Sequence, residues 1–465
     1  MKILPWRNLS IERKLVWALV LIVGGAMFTP AAKALLILFP VGSLYVGYRA
    51  LRTDNALFGE FVTWLFFLTP FLRRVVDYET NAREMIIIST PFLVLLIPLM
   101  FVLVRWKKAI SWESAPFCYA IAAVLYGAFV ACAHSQFSSA AAGLIMWIPP
   151  ITFALFLLLE RDRISDVSEG IERAILGGTF VAGIYGLIQY FYIPAWDAAW
   201  MRSVDMDTIG KPEAMEVRVF STLNSPQILA SFLLVGILLA YRLRSRWKYL
   251  ILLAGIASLV LSAARSAWIG LFAGLMFLAF RGSSAERVRT LFATAGCTLL
   301  ILVALNVPEL SDTISARFNT FSDLKHDESA LDRKETYTRV SELLQHSLEG
   351  SGLGVDNGMA DAQNDSSVVA VLLGLGLPGS LIFATALGVC AFKLLFTRSA
   401  RELPQLLGLQ CCITGLAFES PLNNVVNGQI GFLLWSMIGL SYGFLMKRKA
   451  EISSELKVGV VLRST

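Results

Sequence analysis

The chain has 465 residues, 56% of them hydrophobic and only 16% charged, with a mean hydropathy of +0.65. That balance excludes an ordinary soluble globular protein, in which about a quarter of the residues carry charge. The formal net charge of +6 suits membrane topology better than a nucleic-acid partner, and none is expected.

Apolar blocks of about 16 residues or more recur from one end to the other, which is the pattern of membrane-spanning helices. Spans are predicted at 15–29, 34–49, 57–72, 85–104, 116–133, 138–159, 174–193, 226–241, 248–264, 266–280, 290–307, 367–396, 403–419 and 426–446. The first block is followed at once by a second, which reads as a helical hairpin rather than as an h-region and cleavage site. With the N-terminus in the cytoplasm, simple alternation gathers most of the 40 Lys and Arg on the inner side. The clusters around Arg13, Arg49, Lys107, Arg161, Arg244, Arg287, Arg398 and Lys447 all fall there, as the positive-inside rule requires. The predicted fold class is therefore all-α: a polytopic integral membrane protein with about fourteen transmembrane helices and both termini cytoplasmic.

Residues 1–307 make the main bundle of about eleven spans, with an outer loop at 194–225. Residues 308–366 form a large extracytoplasmic loop predicted to contain helices, 367–446 the C-terminal spans, and 447–465 a cytoplasmic tail. The six cysteines lie within spans, and the three histidines (His134, His326, His346) are too few and too scattered for a metal centre. No cofactor and no metal are expected. The inner loops are short and basic, so the polar chemistry has room only in the two outer loops.

Within the larger loop, "RKETYTRVSELLQHSLEGSGLG" spaces Tyr337, Val340, Leu343, Leu344 and Leu348 as one apolar helical face. Gly350, Gly352 and Gly354 then stop the helix. Two placements stay open: a helix flat on the membrane surface, or one across the mouth of the bundle that presents Arg339 to a ligand.

Arg265 sits in the middle of the apolar run from Trp247 to Phe280. A guanidinium keeps its charge in a protein, so burying it in hydrocarbon is costly. At 1.5 Å per residue, Lys248 to Phe280 gives roughly 50 Å of helix against about 60 Å for two full crossings, which puts the turn below the outer surface. Arg265 either snorkels or pairs with a carboxylate, or it faces an anion at the outer leaflet. Arg218 stands before the eighth span; Arg73 and Arg74 lie at the outer end of the third; Arg317, Arg333 and Arg339 lie in the large loop. Arginines repeated at outer span ends suit a phosphate-binding surface, because the guanidinium fork matches paired phosphate oxygens.

Over about residues 215–395 the chain resembles the O-antigen ligase / O-antigen polymerase superfamily of bacterial envelope enzymes. "RVFSTLNSPQILA" is similar to that family's arginine-led segment before a span, with Arg218 and Pro226 matching and Ser221 and Gln227 standing for its usual glycine and asparagine. "LSAARSAWIGLFAG" resembles its Ser-Arg-Gly-Ala-Trp hairpin: Arg265, Ala267 and Trp268 fit, while Ala264 and Ser266 differ. "TRVSELLQHSLEGSGLG" is similar to its arginine-headed amphipathic helix, with Arg339, Gly352 and Gly354 in place. In "NDSSVVAVLLGLGLPG", Gly376 and Gly379 match, but Asp365 and Ser366 stand where ligases carry His-Asn.

The resemblance implies a multi-pass protein of the bacterial cytoplasmic membrane, surrounded by membrane lipids, that uses a saccharide carried on undecaprenyl pyrophosphate. An acceptor hydroxyl attacks the anomeric carbon and the lipid pyrophosphate leaves. The expected enzyme is a metal-independent glycosyltransferase that polymerises repeat units, working beside other polysaccharide export components. Arg218, Arg265, Arg74 and Arg339 are the expected substrate-binding residues, and Asp365 and Arg339 the expected catalytic ones. Asp365 also reads as a helix N-cap. Glu419 is a weaker candidate base, and Glu60 reads as a paired packing residue. A ligase that passes the glycan to a lipid or protein, and a transporter of the lipid-linked saccharide, remain the alternatives.

Overall fold

The computed structural model describes residues 10–81, 85–105, 107, 110–204, 209–290, 328–356, 358–397 and 404–464. Among them the regular elements are all helical, and eight helices are long and apolar enough to cross a membrane. The protein is thus an all-α membrane protein. A helix occupies each expected span except 290–307, of which 291–307 lie outside the described residues, as does Arg317.

The helices are α1 (Ile11–Ala26), α2 (Leu35–Thr53), α3 (Asn55–Thr80), α4 (Ile86–Val104), α5 (Ala115–Ala133), α6 (Phe137–Leu159), α7 (Ile164–Tyr192) and α8 (Ala195–Val204). They continue as α9 (Pro226–Arg242), α10 (Lys248–Leu261), α11 (Arg265–Arg281), α12 (Glu328–His346), α13 (Ala360–Asp365), α14 (Ser367–Leu395), α15 (Pro404–Glu419) and α16 (Gly428–Ser464). The expected tail at 447–465 continues the last helix without a break as far as Ser464.

The chain divides into two compact units. The first takes α1–α3, most of α4 and α7, α8–α10 and the start of α11. Its centre is α7, whose small residues let neighbours approach closely: a Cβ at Gly170 would meet the Ala56 carbonyl of α3, at Gly178 Phe67, and at Gly183 the Ala254 backbone of α10. Without a hydrophobic drive between helices in lipid, such close backbone approach is what makes packing favourable. Glu60 of α3 accepts from Arg173 of α7 at 2.9 Å, the paired role expected of it.

The second unit contains the α5–α6 hairpin, α12–α16 and the adjoining ends of α4, α7 and α11. Its core is aromatic. Trp435 is packed beside Phe117 and Phe383, and Phe153 is stacked on Phe432. The apolar face of α12 is covered by protein: Val340 forms a cluster with Met359, Val369 and Leu373, joined by Leu343 and Leu344. That favours packing on α14 over the flat membrane-surface placement. Leu348, expected on the same face, is 60% exposed, because the helix stops at His346 and the chain turns away.

Candidate functional site

In the first unit, residues 209–225 fold back over the ends of α7 and α10. Gly210 and Val217 form an antiparallel bridge, Met215 donates its N–H to the Tyr190 carbonyl, and Arg218 N–H reaches the Ile209 carbonyl at 2.9 Å. Val219 then donates to the Leu261 carbonyl. This lays Arg218 along the α10–α11 turn. Its Nε donates to the Ser262 carbonyl at 3.3 Å and its Nη2 to the Ala263 carbonyl at 3.4 Å, both long hydrogen bonds. The turn itself is buried, with Ser262, Ala263 and Ala264 at 0%, 4% and 3% exposure, and Arg265 is the first residue of α11. The segment before the ninth helix and the α10–α11 hairpin are therefore joined at Arg218 and at the turn leading into Arg265. Both arginines are half-buried. The Arg218 guanidinium thus lies at the turn from which α11 starts with Arg265. Further along the loop, Glu216 hydrogen-bonds Lys211 and holds its ammonium above the usual lysine range, as a solvated surface pair.

Arg74, expected to bind substrate, has another situation. Its residue exposure is 1%, and its side chain pairs with Asp197 at 2.8 Å, both side chains at 0%. Nη1 donates to the Leu223 carbonyl and Asn224 Oδ1, each at 2.6 Å, and Nη2 to the Ser221 carbonyl. The guanidinium also faces the Phe220 and Trp200 rings at 5.0 and 5.8 Å. With its fork spent on protein oxygens and no surface of its own, Arg74 is corrected from ligand contact to internal tie. Loss of either member of such a buried pair costs about 3–5 kcal/mol. Its neighbour Arg73 pairs along the helix with Asp77 at 3.2 Å.

In the second unit, Arg339 is exposed on α12 and Asp365 is exposed at the end of α13. Their elements meet: Tyr337 OH lies 3.2 Å from Ser366 Oγ and donates to the Pro421 carbonyl at 3.3 Å. The N-cap of α14 is Ser366, whose Oγ accepts from Val369 N–H, so the capping role falls one residue after Asp365. Glu419 is fully buried and accepts from Asn423 Nδ2 at 3.1 Å. The glycine-rich turn after α12 is wedged among helices. A Cβ at Gly352 would meet Ala131 of α5, and one at Gly354 the Ser139 carbonyl of α6.

Asp197, Gln189 and Tyr185 are buried or half-buried polar groups of the first unit that sequence patterning passed over. The available signal was their polarity beside long apolar runs. Their partners lie too far along the chain for spacing to reveal. No family model matches the chain, and no curated protein matches it.

Proposed function

We propose that the protein is a membrane glycosyltransferase that polymerises undecaprenyl-pyrophosphate-linked oligosaccharide repeat units on the outer face of a bacterial cytoplasmic membrane. In this reading the chain has about fourteen spans, both termini inside, and residues 308–366 facing the periplasm. The observation that carries it is the placing of the Arg218 guanidinium on the Ser262 and Ala263 carbonyls, at the turn that opens into Arg265. The acceptor oxygen bonds to the anomeric carbon, the bond from that carbon to the pyrophosphate oxygen breaks, and the acceptor proton passes to a base. Pyrophosphate is already a good leaving group. What the protein must supply is charge stabilisation, which fixed guanidinium groups in a partly desolvated site provide.

Asp365 keeps the proposed role of base and Arg339 that of a phosphate or sugar contact, both on the strength of the sequence resemblance. Asp365 in place of the ligase-type histidine supports a polymerase over a ligase. Against a carrier stands the break in α14: its freed backbone groups are bonded to the turn that follows α12.

Arg218→Ala and Arg265→Ala are each expected to abolish polymer while the protein still inserts. Asp365→Asn should lower polymer yield less than either if the residue only supports the helix junction, and as much if it takes the proton. Surface and lipid-linked glycans of a deletion strain provide the measurement. Single repeats that persist identify a polymerase, finished polymer stranded on its lipid carrier identifies a ligase, and full-length polymer from both arginine variants removes the proposal.

A further inference from the structure

Arg74 and Asp197 are joined to Arg218 through a short chain of bonds. Arg74 holds residues 221–224 by the Ser221 and Leu223 carbonyls and the Asn224 side chain. Asp197, fully buried on α8, accepts from Arg74 Nε, from Tyr185 OH at 2.8 Å and from Gln189 Nε2 at 2.7 Å. Gln189 carries the connection onward, since its Oε1 accepts from Phe220 N–H at 3.0 Å and Ser221 N–H at 2.8 Å. Residues 220–224 are thus clamped from two sides, directly after Arg218 and Val219. Val219 N–H in turn is tied to Leu261, next to the turn that receives the Arg218 guanidinium.

We infer that the Arg74–Asp197 pair is a positioning device for the Arg218–Arg265 anion site. It fixes where the Arg218 guanidinium stands without itself touching the ligand. The inference rests on the pyrophosphate reading above. Stability alone is a poor reason for this pair, because well-packed apolar residues commonly replace a buried ion pair without loss. Its bonds are also concentrated: beyond the pair and the Tyr185 and Gln189 donors, the atoms it holds belong to one segment, and that segment carries Arg218. A site that must hold a diphosphate needs its donors set to within about half an ångström, and rigid supporting groups provide that.

The test uses the full-length protein in lipid nanodiscs, with undecaprenyl pyrophosphate as the probe and thermal unfolding read in parallel. The single variants Arg74→Gln and Asp197→Asn each leave one buried polar partner stranded, and both should lower the melting temperature. The double variant strands no charge, and its melting temperature should return most of the way. Its affinity for undecaprenyl pyrophosphate should stay down by roughly tenfold, the scale on which supporting partners act. Gln189→Leu keeps the ion pair but cuts its link to Phe220 and Ser221, and should weaken binding similarly. Wild-type affinity in a folded double variant, or in Gln189→Leu where the double variant does not fold, overturns the inference and leaves the pyrophosphate reading standing. No binding by the wild type, or full binding by Arg218→Ala, overturns that reading and this inference with it.

Discussion

At Ser221 the backbone has φ 52, in the left-handed region that favours glycine. A side chain there has a cost and a visible remedy. The Ser221 hydroxyl donates to the Ala182 carbonyl of α7, and its N–H is held by Gln189. Relief of strain and loss of one hydrogen bond are each worth about 1 kcal/mol and of opposite sign. Ser221→Gly should therefore change stability by less than about 1 kcal/mol and leave polymer formation intact. Ser221→Val places a β-branched side chain in a region it avoids, and it should lower both the melting temperature and the polymer yield. At this scale Arg218 and Arg265 were legible because a permanent charge beside an apolar run is conspicuous. The partner of Arg74 was not, since Asp197 is 123 positions away and no periodicity relates them.

Among the elements, α14 shows what patterning can and cannot give. The apolar run at 367–396 predicts one span, and one helix covers Ser367–Leu395. Inside it, however, Gly376 has φ 62 and ψ −178, a conformation open in practice only to glycine, and Pro378 removes a further backbone donor. Unpaired backbone groups are costly in a membrane protein, so the break needs partners. The turn after α12 supplies them: Leu377 N–H donates to the Leu348 carbonyl, and Ser351 N–H to that of Leu373. Gly350 and Gly376 approach so closely that a Cβ on either would meet the other's backbone. The two glycine motifs read separately in the sequence thus form one joint, which ties α12 and its Arg339 to the kink in α14. Gly376→Ala would drive its Cβ into the Glu349 carbonyl in a forbidden backbone region. It should destabilise by about 3 kcal/mol or more. Gly388→Ala, in the same helix with nothing within 4 Å of the added atom, should be neutral or stabilise by up to about 1 kcal/mol. Thermal unfolding of the two variants checks the contrast.

For the whole molecule, the sidedness of the chain rests on how many times it crosses. Helices α10 and α11 have 14 and 17 residues, or about 21 and 26 Å, each short of a hydrocarbon layer of about 30 Å. They join at a buried turn; in the proposed topology the pair returns there to the side it left, whatever its depth. Residues 290–307 do alter it. If they cross, Ser284 faces the cytoplasm and Glu342 the exterior; if they do not, the two residues share a side. Both positions are exposed, so a cysteine at either is accessible to a reagent. In a background without the native cysteines, Glu342→Cys should react with a membrane-impermeant maleimide on intact spheroplasts. Ser284→Cys should react only after permeabilisation. Labelling of both from the same side would put α12 with the basic inner clusters, and the arginine of that helix could not serve a saccharide held at the outer leaflet. The charge bias argues for crossing, because without it Arg398 and Lys447 would move to the outer side against the positive-inside rule.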